Sequence, residues 1–213
     1  MTEQAQIFDA IESGDLDRVR ELLAADPNIV GERDATGLSA VMQARYHARE
    51  DIVDALLEAG STLDLFEAAA VGLEERVRAL LDADPALARE WSPDGFTALH
   101  LAAFFGHAAT IELLLARGVD LDPRSRNGLE VTPLQSAAAS DQLAVARRLV
   151  DAGADVSVRA NGGFMPLHAA AQNGNAELVR FLLERGADPA APTDDGRTAL
   201  DFAAGKTDVL AAL

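Results

Sequence analysis

Apolar residues recur along the chain as a triplet at spacing i, i+3, i+4, one stripe of a helix with about 3.6 residues per turn. The triplets are Val19/Leu22/Leu23, Val53/Leu56/Leu57, Val77/Leu80/Leu81, Ile111/Leu114/Leu115, Ala146/Leu149/Val150 and Val179/Leu182/Leu183. Each follows a shorter apolar stretch dense in small residues, such as Ala102 with Ala103, Ala137 with Ala138, and Ala170 with Ala171. One apolar position of those stretches runs Ile7, Val41, Leu65, Leu99, Leu134, Leu167, Leu200, at gaps of 34, 24, 34, 35, 33 and 33. The pattern predicts about seven pairs of short helices, each pair burying its stripe against its neighbours.

Local signals place the ends of these helices. Ser39, Thr97, Thr132 and Thr198 precede first helices and offer a hydroxyl to the exposed N–H groups. Pro133 and Pro166 follow at the first helical position, where a missing N–H costs nothing. Gly14, Gly72, Gly106 and Gly174 end the first helix, and Gly60, Gly118, Gly153 and Gly186 end the second. Turn-forming runs follow, including Ser92-Pro-Asp-Gly95, Arg126-Asn-Gly128 and Asp194-Asp-Gly196. The expected units are approximately 5–33, 34–60, 61–90, 91–122, 123–157, 158–190 and 191–213, in a single domain over 1–213.

Three irregularities stand out. The 24-residue gap is short by about one turn-rich connector, and Ala59-Gly60 runs almost directly into the next helix. The connector between units 2 and 3 is therefore expected to be missing. Residues 7–30 and 65–88 share 11 identities in 24 at an offset of 58, so the third unit reads as an internal copy of the first. A duplication of the first two units would explain this, as would two arrays fused end to end; one continuous array is the reading adopted. Gly205 lies only five residues after Leu200, which predicts a truncated last unit that frays first.

Thr97-Ala-Leu-His100, Thr132-Pro-Leu-Gln135, Met165-Pro-Leu-His168 and the closing Gly153-Ala-Asp155 and Gly186-Ala-Asp188 resemble the ankyrin repeat, with its period near 33 residues. The resemblance covers roughly 5–213. It implies an all-α solenoid of helix pairs joined by short β-hairpin fingers, and a structural part for His100, His107 and His168. It also implies that partners lie on the concave side, against finger tips and first helices. The matching variable positions are Leu38, Tyr46 and His47; Phe96, Phe104 and Phe105; Glu130, Val131, Ala139 and Ser140; Phe164, Gln172 and Asn173; and Arg197. Trp91 precedes the fourth finger, on a strand expected to face outward.

Composition bears on function at few points. The net charge of −17 disfavours nucleic acid and anionic membranes as partners. It serves solubility, or steers a basic partner. The charge is uneven, −12 over residues 1–93 against −5 over 94–213. Without cysteine there is no disulfide, thiolate nucleophile or thiolate metal site. No apolar run approaches the roughly 20 residues that span a bilayer, and the start lacks the marks of a signal peptide. A cytoplasmic monomer is expected.

Phosphate-binding glycine loops, nucleophile elbows and zinc-binding histidine pairs are missing from the sequence. No cofactor, metal or catalytic residue is expected. A hydrolase with a histidine–carboxylate site remains the alternative from another class. Six of the ten aromatic residues, Tyr46, Trp91, Phe96, Phe104, Phe105 and Phe164, fall at or beside the variable positions. With His47, Gln172, Asn173 and Arg197 they form the expected partner-binding set. Exposed aromatic anchors often dominate binding energy, although Phe104 and Phe105 could instead fold back into the gap left by the missing finger. Arg124 and Arg126, on a fifth finger two residues longer than the rest, could meet a partner's carboxylate or pair with neighbouring acids. The reading is a protein-interaction module, with an inhibitor or immunity protein against a basic enzyme or toxin as the alternative.

Overall fold

The computed structural model describes residues 3–213. Its helices come in seven successive pairs: α1 Glu3–Ser13 with α2 Leu16–Ala25, α3 Ala40–Tyr46 with α4 Glu50–Glu58, α5 Leu65–Val71 with α6 Glu74–Ala83, α7 Ala98–Phe105 with α8 Ala108–Ala116, α9 Pro133–Ala139 with α10 Leu143–Asp151, α11 Pro166–Asn173 with α12 Ala176–Glu184, and α13 Ala199–Phe202 with α14 Thr207–Leu210. First helices pack on first helices and second on second, in two parallel rows. The apolar triplets fill the seam between the rows: Val19, Val77, Ile111, Leu114, Ala146, Leu149, Val179 and Leu182 have no accessible surface. One buried cluster runs without a break from Ile7 to Val209.

The helix starts follow the chemistry of their caps. Thr97 and Thr132 accept from the N–H three residues on, and His100 and Gln135 return a bond to the cap's own N–H. Met165 has no hydroxyl, so only the returning bond survives there, from Met165 N–H to His168 Nδ1 at 3.1 Å. Asp64 and Glu67 form the same reciprocal pair at α5.

Fingers precede α3, α7, α9, α11 and α13. Each is a tight loop whose ends are joined by a backbone bond, from Asp34 to Leu38, Ser92 to Phe96, Ser125 to Val131, Ala160 to Phe164 and Thr193 to Arg197, at 2.7–2.9 Å. They are too short to pair as strands, and the sole bridge among the described residues joins Arg33 and Ser39. Trp91 therefore sits on a loop and not on a strand. No finger stands before α5: Ser61 N–H bonds back to Leu56 and Asp64 already caps the next helix.

The 58-residue repetition is visible in three dimensions. A 3₁₀ turn over Pro27–Gly31, capped by Asp26, recurs as Pro85–Arg89, capped by Asp84. The last pair is reduced to two four-residue helices, leaving Leu200 57% exposed.

Candidate functional site

The sequence-expected residues separate into three groups and some isolated positions. The central group lies on the first-helix and finger face. Tyr46 ends α3, Phe104 and Phe105 end α7, and Phe96 closes the fourth finger. The Phe104 and Phe105 rings meet edge to face at 5.1 Å, and Phe105 lies 5.7 Å from Tyr46. Phe105 is turned inward. It packs with Leu38, Phe66 and Phe96 around buried Met42, Ala70 and Leu101, and the Arg45 guanidinium covers its ring at 4.3 Å. This small second core joins α3, α5 and α7. Phe104 and Tyr46 stay exposed, at 39% and 37%.

Between α7 and α9 the same group opens a groove of about 150 Å³, walled by Tyr46, Phe96, Leu101, Phe104, Leu129, Val131 and Ala139. Its polar neighbours His100 and Gln135 direct their side chains into backbone: His100 Nε2 donates to Val131 O at 2.9 Å, and Gln135 Nε2 to Phe164 O at 2.8 Å. The walls are consequently almost wholly apolar. Leu129, on the longer fifth finger, is 55% exposed and was not among the expected contacts. An apolar residue at the tip of an otherwise polar turn, inside a two-residue insertion, was the available signal.

The second group is Phe164, which meets Phe202 edge to face at 5.2 Å and His168 at 5.4 Å, with Arg197 lying over Phe202 and bonded to Asp195. Phe164 and Arg197 line an adjoining, open hollow of about 600 Å³ that shares Leu129 and Val131 with the groove. The third group is Trp91 beneath the Arg126 guanidinium, 3.5 Å from its ring, beside a different hollow formed with Gly118 and Pro123. Arg124 bonds Glu130 and the Arg159 carbonyl. The cationic pair of the fifth finger is thus already engaged by this chain.

His47 and Gln172 are exposed, at the ends of α3 and α11. Asn173 donates to the Ala138 and Ala139 carbonyls and ties the sixth pair to the fifth.

The other histidines are bound into the architecture. Burial lowers the His100 pKa to about 4 and also depresses His107 and His168. All three bond backbone carbonyls of a neighbouring unit, His107 reaching Ala70 and His168 reaching Ala191. The Tyr46 phenol is raised above its ordinary range by burial and by Asp94, to which it donates. Among the described residues no cluster of histidines and carboxylates could hold a metal ion. No helix there is long and apolar enough to cross a membrane.

Comparison with known proteins matches this architecture. The family description "Ankyrin repeats (3 copies)" fits residues 65–160, and "Ankyrin repeats (many copies)" fits 149–203. The chain belongs to the ankyrin repeat family. Ankyrin repeats generally mediate protein–protein interaction. Similar proteins include a probable E3 ubiquitin-protein ligase, XBOS31, of Oryza sativa subsp. japonica, 45% identical over 94 residues. A transient receptor potential cation channel subfamily A member 1 homolog of Caenorhabditis elegans is 41% identical over 92 residues. The mouse (Mus musculus) ankyrin repeat and SAM domain-containing protein 6 is 38% identical over 102. These matches span 43–47% of the chain but only 7–21% of each relative's length. The likeness is one of ankyrin segments, not of whole proteins.

Proposed function

We propose that the chain acts over 1–213 as one non-catalytic binding domain whose protein partner docks on the first-helix and finger face. The anchor site is the apolar groove between α7 and α9. One observation carries this: Tyr46, Phe104 and Leu129 stay exposed around a nearly fully apolar hollow, on a protein of net charge −17. Such a hollow suits one large apolar side chain, and anchors of that kind contribute roughly 2 kcal/mol or more each. A catalytic reading has no support in His100, His107 and His168, whose pKa values burial lowers and whose rings bond backbone carbonyls.

Carboxylates on second helices are linked to arginines of adjacent pairs, as in Arg117–Asp82, Arg148–Glu112 and Arg185–Asp151. At the groove's edge Asp94 accepts from Tyr46 and Glu130 pairs with Arg124. Apolar fit, more than charge, therefore selects the partner.

The test is direct titration of a partner isolated from the native cell against wild type, Phe104→Ala and Leu129→Ala. Affinity is expected to fall about 30-fold in each variant, the equivalent of 2 kcal/mol, with the unfolding midpoint nearly unchanged because both side chains are exposed. Equal affinities in all three proteins would move the site elsewhere.

A further inference from the structure

Three kinds of tie recur along the array, none of them at every junction, and the junction between the second and third pairs carries none of the three. The first is backbone bonding along the finger row: Arg126 N–H donates to Gly95 O, Asn161 to Leu129 and Asp194 to Gly162, at 2.8–3.0 Å. The third pair has no finger, so the second finger abuts the fourth, with Gly37 against Pro93. Pro93 stands where Arg126 and its equivalents donate, and proline has no N–H. The Gly37 carbonyl is taken instead by Arg33 of its own finger, at 3.0 Å.

The second tie runs from the third residue of a first helix to the finger that follows, as His100, Gln135 and His168 show. In α3 that residue is Met42, which is buried and has no donor to offer. The third tie comes from the residue just after the turn ending a first helix, reaching back over the preceding pair. Arg49 donates to Glu12 O, His107 to Ala70 O and Asn175 to Asp141. In the third pair that residue is Leu73, 42% exposed. Helix packing thins at the same place: α3 on α5 is the sparsest junction of the first-helix row, and α4 hardly meets α6.

What remains across the gap is apolar packing, in the continuous seam and in the small second core where Tyr46 and Arg45 meet the Phe105 ring, together with the Arg33 ion pairs to Asp64 and Glu67 and one hydrogen bond that skips a pair altogether. The Tyr46 phenol of the second pair donates to the Asp94 carboxylate of the fourth finger. We propose that the junction between the second and third pairs is a hinge, with the apolar seam as pivot and the Tyr46–Asp94 hydrogen bond as its latch. The latch also sets the mouth of the groove. Tyr46 is its one wall from the first two pairs, so opening the hinge carries that ring away from Phe104 and Leu129. The hinge concerns the free protein and stands whether or not the groove takes a partner.

The chain has no cysteine, so spin labels can be placed at will. Ala24→Cys with Ala144→Cys spans the junction, and Ala79→Cys with Arg180→Cys lies wholly beyond it; all four sites are exposed. Pulsed dipolar distance measurements are expected to give a broader distribution for the spanning pair. Tyr46→Phe keeps the ring and removes the latch, which should raise the open population of the spanning pair about fivefold and leave the other unchanged. Hydrogen exchange gives a second readout, with faster exchange at 40–64 in the variant. A spanning distribution as narrow as the other would overturn the hinge. A Tyr46→Phe variant identical to wild type in both measurements would overturn the latch.

Discussion

Gly72 and Ala48 hold equivalent places after a first helix, and both have backbone in the left-handed region, at φ 74° and 53°. The surroundings make the difference. A Cβ on Gly72 would lie 2.3 Å from His107 Nδ1, whereas Ala48 is exposed. Gly72→Ala should therefore destabilise by roughly 2–3 kcal/mol, from backbone strain and a displaced His107. Ala48→Gly should stabilise by about 0.5–1 kcal/mol, because relief of strain outweighs the added freedom of the unfolded chain. Urea unfolding of the two variants measures both, and equal effects of one sign would contradict this account of the turn.

His100 supplies a second residue-scale prediction. Its pKa is lowered from 6.5 to about 4, so the unfolded chain takes up the proton first as pH falls. Its contribution is complete above pH 6.5 and drains away between about 6.5 and 4, by roughly 3 kcal/mol in all. Gln135 makes the same cross-finger bond without titrating. His100→Gln should accordingly hold near wild-type stability at pH 7.5 and exceed wild type at pH 4.5, as denaturant midpoints at the two pH values would show. A constant difference between them would contradict the assignment.

At the scale of elements, the ion pairs beside the missing finger have a definite job. The Glu67 side chain is only 4% exposed, and Arg33 lies 3.1 Å from it. Arg33→Ala leaves that carboxylate with the Asp64 N–H alone and should cost about 2 kcal/mol. Glu67→Gln in the same background should recover part of the loss, since a neutral amide tolerates burial better. Thermal melts of the single and double variants decide it; no recovery would mean that Arg33 acts through packing or through Gly37.

The elements themselves were legible in the sequence, for physical reasons. The triplets marked one face of the first six second helices. The hydroxyl caps marked the starts of first helices, and the glycines marked helix ends in both rows. The 24-residue gap located the missing finger, and the 58-residue offset marked the third unit as a copy of the first, a likeness to which the structure adds the paired 3₁₀ turns. What the sequence concealed were consequences of neighbours. The sequence offered an inward fold for Phe104 and Phe105 together; that Phe105 alone turns in, beneath Arg45, while Phe104 stays exposed is a matter of packing that helical spacing does not show. Arg126 reads as a free cation until Trp91 is seen beneath it, 3.5 Å away. Pro93, Met42 and Leu73 each look ordinary alone. Their meaning appears only when equivalent positions of other pairs are seen making bonds that these three cannot.

For the whole molecule, the binding account rests on which of two faces a partner covers. One face presents fingers and first helices with an apolar groove; the other presents second helices laced with arginine–carboxylate pairs. Hydrogen–deuterium exchange with and without bound partner separates them in a single experiment. Protection is predicted over 94–105 and 127–139, the stretches that build the groove, with 108–116 and 143–151 unchanged. Protection confined to 108–116 and 143–151, the α8 and α10 helices, would contradict the account.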